Sequence, residues 1–201
     1  MRTERPFTLV DAAKLGLYGG IAAVLISLVG MVDAFAKKDI IAGVVSMSQV
    51  LLGAMAFTPA LFAATRALRN GGKGGALAAG AVAGAVAALL VALLALSIAP
   101  LNLRAIFVNA TPKLVNELLP VGSEGLMGAA ILVVAGIVVG LLAALLTWLP
   151  ATLRRSTLIS LGAVTLIALL KDVFSVIIPT DVGRFVYKSN GLSVEGAVVL
   201  F

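Results

Sequence analysis

Residues 74–103 read GGALAAGAVAGAVAALLVALLALSIAPLNL, without a single charge. An α-helix rises 1.5 Å per residue, so about 20 apolar residues cross the roughly 30 Å hydrocarbon core of a bilayer. The stretch is long enough, and Pro100 marks where its helix should end. Beyond Leu and Val it is almost all Ala and Gly, small on nearly every face. In lipid there is little hydrophobic drive between helices, and close approach through small residues takes its place. A helix of this kind suits the centre of a bundle. A membrane span at 75–99 is the starting point, and the chain supplies its neighbours on both sides.

Leu15 to Val32 carries no charge and is bounded by Lys14 and Asp33; Ile40 to Thr65 lies between Asp39 and Arg66. Gly125 to Leu153 lies between Glu124 and Arg154, with Trp148 placed as an interfacial anchor. These runs predict spans at 15–35, 40–65 and 125–149. A fifth, at 157–178, joins two shorter apolar runs across Lys171 and Asp172. Residues 192–201 follow Gly191 and read as the start of a sixth span. Their apolar run reaches the last letter, Phe201, so the chain is expected to be the front part of a longer polypeptide. The fold class expected is all-α, a polytopic transmembrane bundle forming one domain over 1–201, with five spans and the start of another.

Composition agrees. Apolar residues make up 61% and charged residues 12%, with a mean hydropathy of +1.16. Soluble domains are roughly half apolar and about a quarter charged. Neither cysteine nor histidine occurs. Disulfides, thiolate or imidazole metal sites, His-ligated haem and Cys or His catalysis are thereby excluded. The nine acids are dispersed, and no nucleophile has a base. The expectation is a non-enzyme with no cofactor.

The net charge of +6 sits in short loops between apolar runs, which encodes topology rather than nucleic-acid binding. With the N-terminus inside, the cytoplasmic cations would be Arg2, Arg5, Lys14, Arg66, Arg69, Lys73, Arg154 and Arg155. The outer set would be Lys37, Lys38, Arg104, Lys113, Lys171, Arg184 and Lys188. Lys38, Lys113 and Lys171 have acidic neighbours, so the reading is N-inside. Arg2, Arg5 and Lys14 with Ala34-Phe35-Ala36 mimic a signal peptide, but the apolar run is too long and Asp33 would fall in the cleavage motif. The first helix is therefore read as retained.

Three spans carry glycines four apart: Gly16 and Gly20, Gly80 and Gly84, Gly136 and Gly140. They serve packing within the chain or contact with a partner chain. Polar residues at membrane depth are the first place to look for function. Ser46, Ser48 and Gln49 either line a path or bond a neighbouring helix, and Pro59 is expected to kink its helix. Lys171 and Asp172 are costly in lipid. Asp33 either pairs with Lys171, or these charges lie at the headgroup level. The Asn70–Gly75 glycine run lacks phosphate-loop spacing and reads as a flexible turn. In the loop from Pro100 to Glu124, Thr111-Pro112 has the form of a helix N-cap. The following residues form an amphipathic surface helix or a packed loop. Asn109-Ala-Thr111 matches a glycosylation sequon by chance.

Arg5-Pro-Phe-Thr-Leu-Val10 and Leu28-Val-Gly-Met-Val-Asp-Ala-Phe35, with Arg154-Arg155, Asn190-Gly-Leu-Ser193 and Gly196-Ala197, resemble the front portion of bacterial ABC-transporter permeases of the branched-chain amino-acid type (LivM-like). The resemblance implies a permease component of an ABC-type importer in the bacterial inner membrane, partnered by a second permease subunit and an ATPase. It also implies that the transport core comes later in the polypeptide, leaving extra N-terminal helices here. The alternative is a non-catalytic accessory or assembly subunit of a larger membrane complex, respiratory or photosynthetic. In either case the lipid bilayer and other membrane chains are the expected partners.

Overall fold

The computed structural model describes residues 7–32, 39–41, 45–98, 100–119, 125–160, 162, 163 and 166. The chain divides into two compact units, Met1–Trp148 and Leu149–Phe201. The first contains helices α1 (Leu9–Val29), α2 (Ser48–Arg69) and α3 (Gly71–Ser97). A 3-10 turn (Leu103–Ala105), α4 (Pro112–Leu118) and α5 (Gly125–Leu146) follow. Four of these, α1, α2, α3 and α5, are long and apolar enough to cross a membrane. In the second unit residues 151–160 are helical. That helix begins before Arg154-Arg155, six residues ahead of the expected start at 157. The rest of the expected fifth span, and the stretch 192–201, lie outside the described residues.

Local chemistry moves the other boundaries. Thr8 Oγ accepts from the Asp11 amide at 3.3 Å, and the Thr8 amide donates to Asp11 Oδ2 at 2.9 Å. This capping box satisfies amide groups that a helix start otherwise leaves orphaned. It begins α1 at Leu9 rather than 15, taking Asp11 and Lys14 into the helix. At the other end Gly30 adopts a left-handed conformation, φ 94°, and its amide donates to the Ile26 and Ser27 carbonyls. The helix therefore stops at Val29, short of 35. Its 21 residues span about 30 Å, the thickness of the hydrocarbon core. The expected second span loses its front as well. Asp39–Ile41 (β1) pairs antiparallel with Val45–Ser46 (β2), and the β-branched Ile40, Ile41 and Val45 favour that conformation.

Between α2 and α3 the backbone stays helical except at Gly72, with φ 64° and ψ −164°, a conformation open only to glycine at low cost. The reversal sits there, and helical dihedrals continue through Pro59. The two helices run back along one another. Ala64 and Ala76 pack together, as do Ala60, Ala63, Ala79 and Ala83.

The seams are backbone against backbone. A Cβ on Gly80 would stand 2.5 Å from the Gly140 carbonyl oxygen; one on Gly84 would collide with the Gly136 carbonyl. α3 and α5 are therefore antiparallel and in close contact. On its other side α3 meets α1, where a Cβ on Gly16 would collide with Ala83, and one on Gly20 would stand 2.5 Å from the Leu90 side chain. Gly19 backs onto α2: a Cβ there would collide with the Met55 carbonyl and stand 2.5 Å from the Pro59 ring. Central α3 is thus flanked by α1 and α5.

The helix faces are sorted by size rather than polarity. α5 turns Gly128, Gly136, Gly140 and Ala144 inward and leaves Ile131, Val134, Val138 and Leu142 exposed. α1 buries Ala12, Gly16 and Ala23 and exposes Leu17, Ile21 and Leu25. In water this arrangement would forfeit most of the hydrophobic drive. In lipid it costs nothing and brings the backbones together.

Candidate functional site

The α1–α2–α3–α5 bundle is closed along its glycine seams, but it is not filled everywhere. Toward the end that holds α4 a cavity of about 260 Å³ opens, reached by residues of α1, α2, α3, α4 and α5. Its walls are apolar: Leu52 and Ala56 from α2, Val91 from α3, Leu132 and Val139 from α5. Leu118 and Leu119 close it from the α4 side. Gln49, in the first turn of α2, is the one polar side chain among the lining residues. Gly53 lies one helical turn further along.

α4 is positioned by its own cap and by what it buries. The Leu114 amide donates to Thr111 Oγ at 3.3 Å, with Pro112 in the first helical position. Leu114, Leu118 and Leu119 are buried and pack with Val91 and Leu94 of α3 and with Ile98 just beyond it, while Asn116 is exposed. Of the two readings, a membrane-surface helix or a packed loop, each holds in part: the segment is helical, and its apolar face packs on the end of the bundle.

Asn109 is the residue that sequence reasoning misjudged most. Its Nδ2 donates to the carbonyls of Val29 at 2.9 Å and Leu28 at 3.3 Å. Those carbonyls belong to the last turn of α1, where no intrahelical donor remains. The sequon is therefore two caps in three residues: Asn109 closes α1, Thr111 opens α4, and Ala110 between them is buried. The available signal was Gly30, a helix-stop glycine that marks where donors would be needed.

Three hydroxyls bond carbonyls of the preceding helical turn. Ser27 Oγ donates to the Ala23 carbonyl at 2.7 Å, Thr65 Oγ1 to Leu61 at 2.7 Å, and Thr147 Oγ1 to Ala144 at 2.6 Å. Among the described residues no buried side-chain nitrogen or oxygen lacks a partner. Ser48 is buried. Ser46 lies in β2. Both Ser48 and Gln49 make polar interactions. Lys171, Asp172 and Asp33 lie outside the described residues, and so does the Asp33–Lys171 pair. Gly16, Gly20, Gly80, Gly84, Gly136 and Gly140 all lie on the seams described above.

At the opposite end Lys73 Nζ sits 5.3 Å from the centre of the Trp148 ring, within cation–π range. Lys73 follows the Gly72 reversal and Trp148 follows α5, so both termini meet at one level. Among the described residues no group of three or more His, Cys, Asp or Glu side chains could hold a metal ion. The chain matches no protein-family model, no curated protein and no solved structure.

Proposed function

We propose that the chain is a non-catalytic component of a larger membrane assembly, supplying a rigid, lipid-facing block of helices beside that assembly's working parts. The observation that carries this reading is the closure of the bundle. Glycine seams bring α3 into backbone contact with α1 and α5, and the hydroxyls of Ser27, Thr65 and Thr147 bond carbonyls of the preceding helical turn. Such a block anchors and positions. The front membrane region of an ABC-type importer permease is one such component, and the quoted resemblance favours it. An accessory subunit of a respiratory or photosynthetic complex is the other, since it asks only for packing.

The proposed setting is the bacterial inner membrane with the N-terminus in the cytoplasm. Within the first unit Arg66, Arg69 and Lys73 belong to the Gly72 end, with Lys14 in the half of α1 nearer to it, against Arg104 and Lys113 at the other. Excess Lys and Arg mark the cytoplasmic side. Native mass spectrometry after gentle detergent extraction separates the readings. Co-purification with an ATPase supports the permease region, a different stoichiometric membrane complex supports the accessory subunit, and a chain that is always alone overturns both. Orientation is readable separately because the chain has no cysteine. On intact cells an impermeant maleimide should label an Arg104→Cys chain and spare a Lys73→Cys chain.

A further inference from the structure

We propose that the cavity beside α4 is a binding site for one acyl chain of a membrane phospholipid. Its 260 Å³ is well above the roughly 150 Å³ of an apolar protein cavity that takes up benzene. Leu52, Val91 and Leu132 give it an apolar wall, and Gln49 gives it one polar side chain. An alkyl chain restores the dispersion contacts that the lining of an unfilled space forgoes. Because lipid surrounds the bundle, acyl chains are the apolar molecules present at the highest concentration.

Gly53 gives the second, independent reason. The glycines on the seams, from Gly16 to Gly140, have a neighbouring backbone or side chain where a Cβ would go, but Gly53 has nothing within 4 Å. Glycine weakens a helix interior, and on the seams close packing offsets that cost. At Gly53 no packing does. What its missing side chain provides is room in the cavity.

The test uses the full chain in nanodiscs of palmitoyl-oleoyl phosphatidylcholine doped with a phosphatidylcholine that carries a diazirine in one acyl chain. Wild type should crosslink at the peptides holding Leu52, Val91 and Leu132, and should keep one lipid on transfer to detergent, counted by native mass spectrometry. Gly53→Leu should lower both signals about tenfold, the equivalent of two displaced methylenes, while its thermal melt stays at or above wild type. Ala135→Leu, placed on the facing wall, repeats the test from α5 should the first variant fold poorly. Crosslinks confined to outward residues such as Leu142, retention unchanged in a folded Gly53→Leu chain, or no lipid retained by wild type would each overturn the proposal.

Discussion

The two ends of the bundle are packed by different means. At the Gly72 end the interior is Ala and Gly: Ala60, Ala64, Ala76, Ala79 and Ala143 are fully or almost fully buried. Little side chain is present there, and the helix backbones make the contact. At the Asn109 end the interior is Val91, Leu94, Ile98, Leu114 and Leu118, brought together by a loop that folds back over the helices. One end is held by the absence of atoms and the other by their presence. Substitutions should therefore fail in opposite directions, by intrusion at the first end and by loss at the second.

The largest effect expected is from Gly84→Leu. A side chain there meets the Gly136 backbone, which cannot yield as a side chain would, so the cost should exceed the about 3 kcal/mol of ordinary overpacking. Loss of cooperative unfolding in a denaturing-detergent titration would show it; stability equal to wild type would break the contrast between the two ends. Leu114→Ala should cost about 2–4 kcal/mol, as other buried leucines do, by loosening α4 while leaving the α3–α5 seam intact. Protease sensitivity confined to residues 100–119 would check the location. Asn109→Ala should cost about 1 kcal/mol, the worth of a typical hydrogen bond. Asn109→Asp should cost more, because it removes the donor and sets a negative charge against the negative end of the α1 dipole. The reverse order would mean that Asn109 does not cap α1. The smallest effect carries the opposite sign: Gly53→Ala should stabilise by about 0.5–1 kcal/mol, since Ala favours the helix and meets no neighbour. A fall in melting temperature would remove the distinction between Gly53 and the seam glycines.

Much of the helical arrangement was legible in the sequence because charge is costly in lipid. Charge-free runs located the four described spans, and the small residues of 75–99 pointed to the centre. The boundaries were less legible. Asp11 and Lys14 look like a limit to the first span, yet the Thr8–Asp11 box carries the helix past both. Ile40 and Ile41 fit an apolar helix as well as a strand, and only pairing with Val45 and Ser46 separates the two. Gly19 escaped notice because the four-residue spacing drew attention to Gly16 and Gly20. Its reason is Pro59, forty positions on. Asn109 was hidden in the same way, since the carbonyls it caps lie about eighty residues back. The cavity could not be foreseen, because a glycine facing open space and one facing a backbone are the same letter.

The contact of Gly19 with Met55 bears on the order in which the protein assembles. Proline has no N–H, so Pro59 leaves the Met55 carbonyl without the donor that an unbroken helix would give it. A carbonyl exposed to hydrocarbon without a donor is expensive, and α2 standing alone in the bilayer would carry that cost. α1 emerges first during synthesis, and its Gly19 backbone lies against that carbonyl. The second span thus enters the membrane with a bare carbonyl, and the helix whose glycine packs over it and shields it from lipid is already there.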